Sequence, residues 1–246
     1  MLLTIKKMRK HMRQVFAFVL MLFVQTVIAQ TGTGLMPVNW DKIRAEVETN
    51  PQHIKLLIDS LLNVDVDTTL TADDKMLIVY GNTYLTKGRD LSLEHEMQQI
   101  RDKGQFRKAA DIADKILAIN PLNTNAIVSK IYNLRTQSYV DPDSAQMVTD
   151  SLRVYTVRLL RILDTLFMTG DGSKEHPFSV TSKGDEYNLV EFFFGIHKID
   201  DKMVEGNSDH FVLGETNASY PTPDIYFDVS RITEMENSLS EPKKEE

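Results

Sequence analysis

The residues best suited to chemistry lie in the last third of the chain: His176, His197 and His210, with the adjacent carboxylates Asp185 and Glu186. Three imidazoles and two acids are a sufficient ligand set for zinc, either in a metal-binding module or in a metal-dependent hydrolase. Their spacing does not require them to meet. An Asp-Glu pair at a helix start is also what the positive end of the helix dipole favours. His95-Glu96 opens like a helical zinc-protease motif, but position 99 is Gln, so the second imidazole one turn on is missing. Gly32 and Gly34 fall in a leader with no strand before them, which is no place for a dinucleotide loop. Asp171, Ser173 and Glu175 alternate through a Gly-rich loop with oxygens that suit calcium, without the spacing of an EF-hand. A turn closing the preceding helix accounts for them. Phe192, Phe193, Phe194, Tyr220, Tyr226 and Phe227 crowd the same region. Exposed, they would form a platform for carbohydrate or peptide; their alternation with polar residues favours a core. No catalytic constellation stands out, and no cofactor is implied.

The elements that must position these residues begin with helices. Asn39 can cap a helix carrying Trp40, Ile43 and Val47 on one face, and Asn50-Pro51 opens a second with Ile54, Leu57, Ile58, Leu61 and Leu62. Residues 63–69 read as a loop. Thr71 and Asp74 have capping-box spacing before Met76, Val79, Tyr80, Thr83 and Tyr84, and Gly88 should end that helix. Ser92 can cap the next, with Leu93, Met97 and Ile100 inward. Gly104 turns into a helix bearing Phe106, Ala109, Ala110, Ala113, Ile116 and Leu117, stopped by Asn120-Pro121 and followed by Ile127, Ile131 and Leu134. The segment 141–144 introduces the longest helix, with Val148, Leu152, Tyr155, Leu159, Ile162, Leu163 and Leu166 as a core-facing stripe.

After Gly170-Asp171-Gly172 the character changes. Phe178 and Val180 alternate with polar residues as a short strand, and Asp185 to Phe194 reads as one short helix with Tyr187, Val190 and Phe194 inward. Residues 196–204 and 209–215 are strands around a Gly206-Asn207 turn, and Ile225, Phe227 and Val229 mark the last strand. The expected fold is α+β. A helical-hairpin region, 39–170, is followed by a small region of sheet with one short helix, 171–233, packed on it as one integrated domain. The charged tail 234–246 reads as disordered.

The N-terminus reads as an export signal. Lys6, Lys7, Arg9, Lys10 and Arg13 precede the apolar run Val15 to Ile28, and Val27-Ile28-Ala29 suits cleavage after Ala29. The run is too short to span a membrane, for which about 20 apolar residues are needed. Met1, Met8 or Met12 could each be the start, and residues 30–38 form a flexible leader. Removing the five basic residues of the signal leaves 23 Lys and Arg against 35 Asp and Glu, a net charge of −12. So acidic a chain argues against nucleic acid and against anionic membrane surfaces, and no membrane insertion is expected after signal cleavage. With no cysteine there are no disulfides and no thiolate chemistry.

Two resemblances follow from these motifs. Leu93 to Leu134 resembles a tetratricopeptide repeat: Gly104 at the turn, Phe106 after it, Ala109 and Ala113 on the second helix, and Asn120-Pro121 at its end. Most of the chain looks like a domain-of-unknown-function family of exported proteins from Bacteroidetes-type bacteria. That second likeness rests on Leu70-Thr71, Val79-Tyr80-Gly81, Gly170-Asp171-Gly172, Pro177 to Val180, Asp185-Glu186-Tyr187 and Tyr226 to Ser230. It implies a periplasmic or secreted product and no particular activity. The expected function is an exported scaffold with a protein or peptide partner of the envelope. A metal-dependent module and a carbohydrate-binding module are the alternatives.

Overall fold

The computed structural model describes residues 34–65, 70–140 and 145–240. The signal sequence 1–29, residues 30–33 of the leader, part of the 63–69 loop, the segment 141–144 and the last six residues lie outside the described residues. From Pro37 onward the chain forms one compact unit. Among the described residues no helix is long and apolar enough to cross a membrane.

Among the described residues seven helices come first: α1 (Trp40–Thr49), α2 (Pro51–Leu62), α3 (Ala72–Thr86), α4 (Leu91–Asp102), α5 (Phe106–Ile119), α6 (Thr124–Val140) and α7 (Ala145–Phe167). Their starts are chemically marked. Asn39 Oδ1 accepts from the Lys42 N–H, Asn50 Oδ1 accepts from the His53 N–H ahead of Pro51, and Thr71 and Asp74 form a reciprocal capping box. That box holds the Asp74 carboxyl below its usual range through hydrogen bonds from Thr71. Lys87 and Gly88, both at positive φ, end α3.

Consecutive helices pack on one another, α4 on α5 and α5 on α6, and α7 lies against α3 and α6. The alanine face of α5 (Ala109, Ala113) closes with Ile116, Met97 and Ala126 into a core cluster. Helix α3 is buried on most of its circumference. Ile78, Val79, Tyr80, Gly81, Asn82 and Thr83 are all inside, and a Cβ on Gly81 would lie 3.1 Å from Val47. Tyr80, edge-on to Trp40 at 5.3 Å, donates its buried hydroxyl to the Ser179 carbonyl and so ties the helices to the sheet.

The sheet has the order β1-β4-β3-β2, with β1 (Phe178–Ser179) parallel to β4 (Asp224–Asp228) and β3 (Ser208–Leu213) antiparallel to both β4 and β2 (Ile199–Glu205). Its buried rings are Phe178, Phe211 and Phe227. Between β1 and β2 lie the short helix α8 (Lys183–Asn188) and one π-helical turn, Leu189–Phe193.

Three expectations need correction. The 185–194 helix starts two residues earlier, because Ser182 and Asp185 form a second capping box, and its second half is π-helical. Tyr187, expected inside, is 43% exposed. Beyond residue 233, where disorder was expected, helix α9 (Ser230–Ser240) continues. Its Ile232 and Met235 are buried, and Arg231 donates to Thr83 Oγ1 and lies 3.8 Å over the Tyr84 ring. Three anchoring residues at helical spacing outweigh the charged surface of that segment.

Candidate functional site

A cleft of about 400 Å³ opens where α4 and α6 meet α8. From α4 come Glu94, Gln98 and Arg101; from α6, Asn125 and Tyr132; from α8 and the π turn, Lys183, Tyr187, Asn188 and Glu191. What fixes these walls is a set of buried polar side chains behind them.

Asn123 is the key to the first cluster. Its Oδ1 accepts from the Ala126 N–H and so caps α6. Its Nδ2 then donates to Asp90 Oδ2 at 3.0 Å and to Glu94 Oε2 at 2.9 Å. Asn120 Nδ2 adds a bond to Asp90 Oδ2 at 2.7 Å, and Asn125 Nδ2 one to Glu94 Oε1 at 2.6 Å. Asn82 Nδ2 donates in turn to Asn120 Oδ1. The loop that stops α5 at Pro121 therefore supplies a row of amides to two acids one helical turn apart on α4. Asp90 stands at the N-cap of α4 without capping it, because its carboxylate faces those amides instead. Burial pushes the Glu94 carboxyl up, the two Asn amides pull it down, and Asp185 and Asp90 push it further up.

Asp185 extends this cluster from α8. It accepts from Thr124 Oγ1 at 2.5 Å, Thr181 Oγ1 at 2.7 Å and the N–H groups of Thr181 and Ser182. Gly184 allows this close contact, since a Cβ there would lie 2.1 Å from Asn125 Nδ2 and that side chain would have to shift.

The next residue, Glu186, enters a different cluster. Lys202 of β2 bridges Glu186 Oε2 (2.8 Å) and Asp209 Oδ2 (2.9 Å), and Lys183 reaches Asp209 at 2.7 Å. Both carboxyl groups are fully buried. Glu186 Oε1 and Asp209 Oδ1 are buried without a hydrogen-bond donor among the described residues, and a proton on Glu186 would relieve the repulsion between the two acids. Burial pushes Glu186 up to about 8, against the pull of Lys202 and with a further push from Asp209. Glu186 therefore holds the proton at neutral pH. Burial opposes the charge on Asp209, but hydrogen bonds from Lys183, Lys202 and Glu186 outweigh it and hold that carboxyl down. Lys202 also sits over the mutually tilted rings of Tyr187 and Phe211, at 5.4 and 4.8 Å.

The histidines do not join either cluster. His176 and His197 are exposed, with their backbone N–H groups on Ser173 and Glu215. His210 is buried on β3, stacked 4.2 Å from Tyr226, with Nε2 2.8 Å from Asp224. Among the described residues no three His, Asp or Glu side chains form a metal-holding group. Asp171 Oδ1 accepts from the Ser173 N–H, a local turn. Of the aromatic series, Phe192, Phe194, Tyr220 and Phe227 are buried, and Phe193 and Tyr226 are half-buried.

Sequence reasoning reached Asp185 and Glu186 but missed Asp90, Glu94, Asn123, Asn125, Lys202 and Asp209. The available signal was two acids at i and i+4 in line with Met97, on the apolar face of α4. A second was the run Asn120 to Asn125 beside a proline. A family model described as "Domain of unknown function (DUF4919)" matches residues 41–238. The chain belongs to this family. No curated protein and no solved structure matches it. The DUF4919 match spans the cleft and both acid clusters.

Proposed function

We propose that this DUF4919 protein is an exported interaction protein of the bacterial envelope whose cleft receives a peptide segment of a protein partner without turning it over. The observation that carries this reading is the division of labour at the cleft. The acids behind it are occupied by amides and lysines, which make them positioning groups. The side chains that face outward, among them Tyr187, Gln98 and Glu191, offer a ring, an amide and a charge to a guest. A volume of about 400 Å³ lies at the lower end of the range for ligand clefts. The tetratricopeptide-like succession α4, α5, α6 supports the reading, because stacked hairpins present such a concave wall. The basic and apolar N-terminal run supports export from a bacterial cytoplasm, with Gln30 as the mature N-terminus.

Replacing Tyr187 with a photo-cross-linking phenylalanine analogue in the producing cells tests this. A discrete adduct should form from position 187 and not from Leu56, a comparably exposed position on α2 that is 66% accessible. Identical patterns from both positions would remove the cleft from consideration. Turnover of a peptide, ester or glycan by the purified protein, lost in cleft variants, would replace the interaction reading with an enzymatic one.

A further inference from the structure

Beside the cleft lies a recess of about 20 Å³, lined by polar groups that include Asp90, Glu94, Asn82 and Asn120 and also by the apolar Leu91 and Met235. That is room for one water-sized group. The recess shares Leu91 and Glu94 with the cleft, so the two spaces adjoin at that wall. No basic side chain lines it. Asp90, Glu94 and the neighbouring Asp185 are 3, 7 and 1% exposed, and none of them makes an ion pair among the described residues. Their partners are amides, hydroxyls and backbone N–H groups. Asp90 Oδ2 takes both Asn120 and Asn123, while its Oδ1 accepts from no group among the described residues. The guanidinium of Arg231 is nearby but committed to Thr83, Glu234 and the Tyr84 face.

We propose that this recess receives an ammonium group, from a lysine side chain or a terminal amine of the peptide held in the cleft. The proposal rests on the reading of the cleft as a peptide site. An ammonium is the size of a water, carries three donors for the carboxylate, amide and hydroxyl oxygens of the recess, and brings the positive charge that the buried carboxylates lack. A guanidinium is planar, carries five donors in a fixed fork and is too large for the space. The cleft therefore selects lysine over arginine and over a neutral or acidic residue at the same place.

The test is an amide NMR titration of the purified protein with acetylated, amidated pentapeptides, Ala-Ala-Xaa-Ala-Ala, where Xaa is Lys, Arg, Gln or Glu. A fifth peptide has Gln at the centre and a free amino terminus. The Lys peptide should bind about tenfold more tightly than the Gln and Arg peptides, with the Glu peptide weakest. If the free-terminus peptide matches or exceeds the Lys peptide, the ammonium site stands and its source is a chain end. Arg or Gln binding as tightly as both ammonium peptides would overturn the proposal and leave the peptide reading intact. No shift at cleft residues with any peptide at millimolar concentration would sink both. In an Asp90→Asn variant with a native-like spectrum, the preference for Lys over Gln should shrink about tenfold. The peptide series on the unaltered chain decides the matter if that variant does not fold.

Discussion

Successive residues of α8 enter two buried acid clusters that the fold stabilises in opposite ways. Asp185 joins Asp90 and Glu94, where every hydrogen-bond partner among the described residues is an amide, a hydroxyl or a backbone N–H. Glu186 joins Asp209, where two lysines and the protonation of Glu186 offset the buried charge. Lys183 and Lys202 reach in from side chains that stay 44 and 31% exposed, so their ammonium groups are only partly desolvated. The lysine cluster is closed on itself: at neutral pH it has two ammonium groups, one carboxylate and one neutral acid. The amide cluster fixes direction without cancelling charge. It can hold Asn125 and Asn188 rigidly at the cleft wall, and it keeps an acceptor for a cation from outside. The contrast teaches that burial of an acid alone does not mark a site; the kind of partner it has does.

Removing Asp185 should have the largest effect on this contrast. Asp185→Ala strands the Thr124 and Thr181 hydroxyls and two backbone N–H groups in a buried place. Losing a hub of that kind costs about 3–5 kcal/mol, read as a shifted urea midpoint at constant slope. A loss below about 1 kcal/mol would mean that the amide cluster positions nothing.

Gly184→Ala separates the two clusters more gently. The new Cβ must push Asn125 away from Glu94, while the bonds of Lys183 and Lys202 to Asp209 are untouched. Overpacking of this sort costs about 1–3 kcal/mol. Amide NMR shifts should concentrate at residues 94 and 123–126 and leave 202 and 209 in place. Equal perturbation of both groups would show that the clusters behave as one network.

The helices were legible because their signals are local: a capping Asn before Trp40, Asn50-Pro51, the Thr71 to Asp74 box, the small face of Ala109 and Ala113. The expected turn at Gly206-Asn207 joins β2 to β3 as read, although the strands run 199–205 and 208–213. The site was less legible because its partners are distant in sequence. Asp185 is recognisable as a helix-start acid, but only the fold brings Thr124 to it from 61 residues away. Lys202 sits on an exposed edge strand where a lysine is ordinarily unremarkable. His176, His197 and His210 carried the strongest chemical signal by residue type, yet two are on the surface and the third stacks on Tyr226. Helix α9 escaped notice because Arg231, Ile232 and Met235 bury a face too narrow to outweigh the surrounding charge in a sequence window.

The smallest expected effect sharpens the other half of the comparison, through pH. Glu186 is raised by burial from an ordinary value of 4.5 to about 8 in the folded chain. Between those values the folded state holds a proton that the unfolded state has released. The stability contributed by the protonated acid is therefore fully present below about 4.5 and lost as pH rises towards 8. Asp209 is held below its ordinary value of 3.8, so its contribution is present above 3.8 and fades in acid below it. The pair is thus best matched to its single proton near the acid end of the 4.5–8 window. Glu186→Gln carries a permanent donor towards Asp209 and cannot ionise. Its unfolding free energy should fall less steeply than that of the unaltered chain between pH 6 and 8, by about 1 kcal/mol in total once relaxation of the site is allowed for. Parallel curves for the two proteins over that interval would show that the proton does not reside on this pair, and the lysines alone would then have to balance two carboxylates. The same substitution should leave the lysine preference of the cleft unchanged, since the recess belongs to the cluster that Glu186 does not enter.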